Sequence, residues 1–375
     1  MGWWRTWGLA TLLALAWTGC DGGSSGSEWE VRAPEDVGMD AAVLEGARDY
    51  AFEPSRYTQG VVVVRRGVIV AEWYADGKDA DSFAASWSVA KSFTSTLIGI
   101  AIEEGLIDNV DVPMVDYFPS WQGTERESIT LQHVLHMASG LDWVEEYSLD
   151  SDSNITRMVL GETDQLAYAA SIEPEVDPGT RFNYSSGDTM LLSGVLEQAT
   201  GMSAQAYGQE VLFEPLGMEP VEWWRDVPGH TLTYCCLDTP TRQFAKLGQL
   251  FLNEGQWQGR QLVPWSWVAA STTPSPSYEG YGYQWWLTGR TVPELPEDTF
   301  SARGHDGQYV YVIPSEDLVV VRNGLYGKHD GEPVADPNLF NLYPSDGIGG
   351  SRGTRPPADW DDVAFLTPII DSIVD

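Results

Sequence analysis

Apolar and polar positions along the chain change period several times, and those changes outline the elements. Val61 to Arg65 and Val68 to Tyr74 are β-rich runs on either side of Arg66-Gly67, which predicts a hairpin. Trp87 to Glu104 has helical length, opens on Ser88 and closes before Gly105. The stretch from Asp108 to Thr130 is rich in proline, aspartate and turn residues, and a short helix is expected over Ile129 to Met137. Helical spacing recurs over about 154–170 and again over 188–200, where Gly201 is the expected C-cap. Phe244 to Leu252 and Val263 to Ala270 also read as helices. Gln308 to Ile313 and Leu318 to Arg322 read as strands parted by Pro314 to Asp317. Residues 330–361 are acidic and rich in glycine and proline, a surface excursion before a closing helix over Phe365 to Val374.

Two strands, a long helical stretch, then strands and a last helix predict an α/β (α+β) molecule. An antiparallel sheet is completed by both ends of the chain and flanked by helices, with a mainly helical region inserted. The expected division is a sheet subdomain over about 35–110 and 235–375 and a helical subdomain over about 111–234. All of it belongs to one domain over 35–375, since 375 residues exceed a single small core.

Charge narrows the partners. Fifty-five acidic residues against 21 Lys and Arg give a formal net charge of −34. That field repels phosphate backbones and anionic membrane surfaces, which argues against nucleic-acid binding. The first residues read as a targeting segment, residues 1–19: one charge at Arg5, then the apolar run Leu9 to Trp17, too short to span a bilayer. Thr18-Gly19-Cys20 resembles a lipobox, with Trp17 where leucine is usual. Cys20 is thus the expected lipidation site, followed by a flexible tether over 20–34, and the chain is expected to face the periplasm or cell surface on a lipid anchor. Cys235 and Cys236 are neighbours, whose side chains on extended backbone point to opposite faces, so two separate buried thiols are expected. No cysteine spacing suits a metal, and no cofactor is implied.

Ser88-Val89-Ala90-Lys91 puts a hydroxyl and an amine three residues apart, on one face, at the start of a helix. The positive end of that helix favours negative charge on the serine and disfavours the lysine cation, so that Lys91 can help activate Ser88. Alone the pattern is common. Two further elements follow in order, Phe182-Asn183-Tyr184-Ser185-Ser186-Gly187 and Arg303-Gly304-His305-Asp306-Gly307-Gln308. Together the three resemble the serine β-lactamase and penicillin-binding-protein family, with its β-lactamase/DD-peptidase-like fold, and most of all its esterase and 6-aminohexanoate-oligomer-hydrolase-like branch. The resemblance spans roughly residues 35–325 and includes Leu131-Gln132-His133-Val134-Leu135 and Ala245-Lys246-Leu247-Gly248-Gln249-Leu250.

It implies that Ser88 attacks a carbonyl and is acylated, and that Lys91 takes up or relays its proton. Tyr184 is then the general base, as a phenolate favoured by Lys91, and later protonates the leaving group. Ser186 would hydrogen-bond Lys91 or substrate. The backbone N–H groups of Ser88 and Gln308 would form the oxyanion hole, worth roughly 3 to 4 kcal/mol per donor. His305 replaces the lysine of the third motif, beside Asp306, so a largely uncharged ring stands where a β-lactam carboxylate would meet a fixed cation. Small ester or amide substrates without that carboxylate, and weak β-lactam turnover, are expected. The alternative is a module that acylates, deacylates slowly and serves as a penicillin-binding or cell-wall-peptide sensor.

Rival signals are weaker. Gly349-Gly350-Ser351-Arg352-Gly353 has the spacing of a nucleophile elbow but lacks a flanking strand and helix. His133 and His136 are three apart, without the pairing a zinc peptidase needs, and read as structural. Trp143, Trp223, Trp224, Trp285 and Trp286 are candidates to wall an apolar acyl pocket.

Overall fold

The computed structural model describes residues 1–2, 29–147, 151–326 and 356–374. Cys20 with its leader, most of the acidic excursion and the Gly349–Gly353 stretch lie outside the described residues.

Helix α1 (Ala41–Ala51) precedes the hairpin of β1 (Thr58–Arg65) and β2 (Val68–Tyr74), and β3 (Phe83–Ala85) leads to α2 (Ala90–Glu103). The middle of the chain is helical: α3 (Leu131–Leu135), α4 (Asn154–Gly161), α5 (Gln165–Ser171), α6 (Ser186–Thr200), α7 (Ala204–Gly208) and α8 (Glu214–Leu216). Then come β4 (Glu222–Trp223), β5 (Leu237–Pro240), α9 (Thr241–Leu252), the small hairpin β6 (Gln256–Trp257) and β7 (Arg260–Gln261), α10 (Trp265–Ser271) and α11 (Thr288–Thr291). Strands β8 (Phe300–Gly304), β9 (Gln308–Ile313) and β10 (Leu318–Gly324) and helix α12 (Asp362–Asp371) complete it.

The main sheet is antiparallel in the order β2-β1-β10-β9-β8, so the first hairpin and the last three strands make one surface. A sheet covered on both faces needs apolar residues at consecutive positions rather than alternate ones, which explains the run Val61-Val62-Val63-Val64. Val62 and Val64 join the core shared with α2, α6 and α9, while Val61 and Val63 join a second core under α1 and α12. On α9, a Cβ at Gly248 would come within 2.6 Å of Val319, so the glycine sets how near that helix lies to the sheet.

Helix α2 is buried on nearly every side, the pattern of a central helix. Two of its buried hydroxyls tie it to neighbouring segments: Ser92 donates to the Gln284 carbonyl at 2.7 Å and Thr94 to the Thr233 carbonyl at 2.8 Å. The apolar spacing over 154–170 belongs to two helices, not one. Asp164 accepts from the Ala167 N–H and starts α5 anew. Cys235 and Cys236, expected as separate thiols, are joined in a disulfide. Cys236 holds φ at 71°, a left-handed value that turns its side chain off the alternating pattern and toward its neighbour.

Candidate active site

The N-terminus of α2 lies beneath an open cleft of about 320 Å³, lined by Ser88, Tyr147, Tyr184, Trp286, Arg303, Gly304 and His305. Ser88 sits in the tight turn Trp87–Val89 just ahead of α2. The buried Trp87 before it has φ of 44°, a conformation a bulky residue adopts only when its surroundings impose it. One turn on, Lys91 is 1% exposed. Its Nζ donates to Ser88 Oγ at 3.1 Å, Ser186 Oγ at 3.1 Å and the Tyr234 carbonyl at 2.9 Å. Burial lowers its pKa to about 8 although Glu145 pulls the other way.

Tyr184 also bonds Ser88, and that contact lowers its pKa. Burial and then Glu145 outweigh it, and the phenol is pushed well above its ordinary value. The Lys91 Nζ lies 5.1 Å from the ring centroid. Burial thus works against the expected resting phenolate at Tyr184, favouring its neutral phenol, and it also favours the neutral amine at Lys91.

Ser186 opens α6, whose N-cap is Ser185. Its hydroxyl lies between Lys91 Nζ and the Glu145 carboxylate, and its N–H donates to Glu145 Oε2 at 2.9 Å. Glu145 also accepts from Trp143 Nε1 and the Tyr147 hydroxyl. Nothing in the sequence singled out this residue, one acid among 55 with no motif around it. Tyr147 was missed for the same reason. Its ring lies 4.9 Å from that of His305, which meets Trp87 edge-on at 5.6 Å and approaches Asp306 at 3.2 Å through Nε2.

Strand β8 is the sheet edge facing Ser88. A Cβ on Gly304 would lie 2.3 Å from the Ser86 carbonyl and 3.1 Å from the Ser88 nitrogen, so the strand runs this close only because the residue is glycine. Gln308 does not reach the cleft, contrary to the sequence expectation. It begins the next strand inward, is fully buried and pairs with Gly304 across the hairpin. Its side-chain oxygen accepts from the Gly324 N–H at 3.0 Å and from Asn323 at 3.2 Å. Ser301, in contrast, bonds outward to Trp286 in both directions, at 2.8 and 2.9 Å. Alternation then turns the backbone groups of Arg303 to that same outer side, and the extended Gly304 aims the His305 N–H, at the start of the turn, the same way.

Arg303 is the cation in the cleft wall, and its guanidinium is held by Asp362 of α12 and by Ser301 Oγ at 2.9 Å. Of the five tryptophans expected around the pocket, only Trp286 lines it. Trp143 packs behind Gly187, and Trp223, Trp224 and Trp285 are core residues. His133 Nδ1 accepts from the Thr130 N–H at 3.1 Å in a capping box, and the His136 ring packs at a tilt against that of Tyr283, 4.7 Å between centroids. Ligand atoms of Asp164, Asp226 and His230 come within 4.8 Å of one another. The Asp226 carboxylate is occupied by the N–H groups of Gln165, Gly229 and His230, and His230 Nδ1 lies 2.7 Å from Glu197.

The beta-lactamase family model matches residues 51–332. The 6-aminohexanoate-dimer hydrolase of Paenarthrobacter ureafaciens is 25% identical over 289 residues, covering 71% of this chain and 72% of that protein. Among solved structures, EstCE1, a hydrolase with promiscuous acyltransferase activity, superposes with a TM-score of 0.64 at 16% identity, over 78% of this chain and 94% of its own. A penicillin-binding protein homologue from Caulobacter crescentus gives 0.61 at 15% identity, over 76% and 91%. A match across most of the chain, on a molecule with this sheet and this serine–lysine turn, makes the protein a member of the beta-lactamase family and a serine hydrolase within it.

Proposed function

We propose that the protein hydrolyses small esters or amides lacking a carboxylate, through an acyl-enzyme on Ser88. The observation that carries this reading is the placement of Lys91: buried, 3.1 Å from the serine oxygen, with its pKa lowered to about 8. Neutral Lys91 accepts the Ser88 proton as Oγ adds to the carbonyl carbon. The oxyanion forms against the Ser88 N–H and, on the alternation of β8, the outward N–H of His305. When the intermediate collapses, the C–O or C–N bond breaks. Tyr184 hands its proton to the leaving group and is reprotonated from Lys91, which returns to neutral. Water then adds to the acyl carbon by the same route and releases the acid and free Ser88. Glu145, through Ser186, keeps the lysine oriented and partly compensates its charge.

Arg303 is already paired with Asp362, and His305 holds the place of a fixed cation, so a β-lactam carboxylate finds no free positive partner in the cleft wall. Weak β-lactam turnover follows. The test is hydrolysis of p-nitrophenyl butyrate and a chromogenic cephalosporin by wild type and Ser88→Ala. Ester turnover lost in the variant, with little cephalosporin cleavage, is the expected result. Ester turnover that survives in Ser88→Ala would overturn the assignment. A stable mass increase on Ser88 without turnover would mark the slow-deacylating sensor instead. Lipid attachment at Cys20 is part of the proposal, supported by the leader pattern alone. Wild type is expected to enter the detergent phase on Triton X-114 partition and Cys20→Ala to stay aqueous.

A further inference from the structure

The third acceptor for Lys91 is the Tyr234 carbonyl at 2.9 Å, and the disulfide Cys235–Cys236 follows it directly. Both cysteines are buried, at 2% and 0% exposure. The segment touches the catalytic elements on each side of the pair. Thr233 accepts from Thr94 on α2 at 2.8 Å and donates to the Thr189 carbonyl on α6 at 2.6 Å. Leu237 exchanges two 2.9 Å hydrogen bonds with Ser86, two residues before the nucleophile. The Tyr234 side chain is also fixed, its hydroxyl donating to Gln165 at 2.7 Å. Between the anchors at Thr233 and Leu237, the disulfide closes a small ring through the 235–236 peptide and holds Cys236 at φ 71°. With the two sulfurs unlinked, adjacent side chains return to opposite faces, and that peptide turns next to the carbonyl that orients Nζ.

We propose that the Cys235–Cys236 disulfide is a positioning element for Lys91, fixing the Tyr234 carbonyl so that Nζ meets Ser88 and Ser186 together. The inference rests on Lys91 being the general base. It also makes activity fall when a dithiol reductant opens the pair. One reductant thiolate attacks a sulfur of the pair, and the second closes the reductant's own disulfide. The enzyme is left with two thiols, having gained two electrons and two protons.

The experiment begins with the full-length oxidised protein. Alkylated and digested with trypsin without reduction, it is expected to give the 226–242 peptide unalkylated and lighter by two hydrogens. Two alkylated cysteines there would overturn the proposal. The pH profile of kcat/KM with p-nitrophenyl butyrate is then compared across wild type, Lys91→Arg, the double variant Cys235→Ser/Cys236→Ser, and wild type reduced with dithiothreitol. Lys91→Arg identifies the limb that belongs to the lysine. If Lys91→Arg leaves that limb in place, the reading of the base fails, and this inference falls with it. Once the limb is assigned, the double variant and the reduced enzyme are expected to lose about tenfold in kcat, with KM within about threefold and the limb displaced. Reoxidation is expected to restore both. A merely structural role would lower the melting temperature and leave the limb unmoved, and an unmoved limb in folded protein overturns the proposal. If the double variant fails to fold, the reduced and reoxidised wild type supplies the same comparison.

Discussion

Lys91 shows at the scale of one residue what the site costs the fold. Lowering its pKa from 10.5 to about 8 amounts to about 3 kcal/mol lost at neutral pH. The unfolded chain binds more protons than the folded one between pH 8 and 10.5, so this penalty fades as pH rises through that window. Lys91→Met is therefore expected to abolish turnover yet melt several degrees higher than wild type at pH 7, measured by calorimetry. The activity limb should lie near pH 8, with kcat/KM rising as the lysine loses its proton. Asp188 works in the opposite direction. Fully buried, it is raised to about 7 chiefly by desolvation, against the bonds from Ser139 and Ser185. Here the folded state binds more protons between the ordinary 3.8 and 7, so stability falls as pH climbs through that range. Asp188→Asn should flatten the melting temperature between pH 5 and 8. Ser88, Lys91, Tyr184 and Ser186 were legible because spacing and order carry them. Glu145 was not, since its importance lies in a fold-brought contact with Ser186 that no local pattern encodes.

Among elements, β8 explains both the cleft and the misread oxyanion donor. Phe300-Ser301-Ala302-Arg303-Gly304 lacks the branched apolar residues of an obvious strand, and the hairpin turn falls at His305 to Gly307. Periodicity put the strand start at Gln308, and the family resemblance placed the second oxyanion donor there, on what the fold makes the inner strand. Gly304→Ala should push β8 away from Ser86 and lower kcat by roughly a hundredfold, the scale of a lost oxyanion donor. The melting temperature should change far less, because the strand stays paired to β9. Gly99→Ala tests a different contact on α2. Its Cβ would meet the Trp267 ring at 2.4 Å, and overpacking there is expected to cost about 2 kcal/mol in denaturant unfolding. The hairpin, α2, α6 and the closing helix could be read from their periods. The division of 154–170 turned on a single cap, Asp164, which apolar spacing does not record.

For the molecule as a whole, the charge of −34 means self-repulsion that salt relieves. Raising sodium chloride from about 10 mM to about 500 mM should lift the melting temperature by several degrees; a fall would show that ion pairs outweigh repulsion. The sequence order anticipated that both ends share one sheet, but not that α1 and α12 would meet so closely that a Cβ on Gly46 lies 3.3 Å from Pro368. This closure has a consequence in time. Strand β1 pairs with β10, residues 58–65 with 318–324, so the centre of the sheet joins segments made early and late in synthesis. Until the ribosome has passed Gly324, the β1–β2 hairpin has no partner on one edge, and Val61 and Val63 lack the cover that α12 supplies. Contacts this distant in sequence form slowly. A chain stopped before Leu318 should thus be no smaller enzyme but an unfolded one, cut by protease at every accessible site, and the full-length protein should gain its resistance only after its last strand is complete.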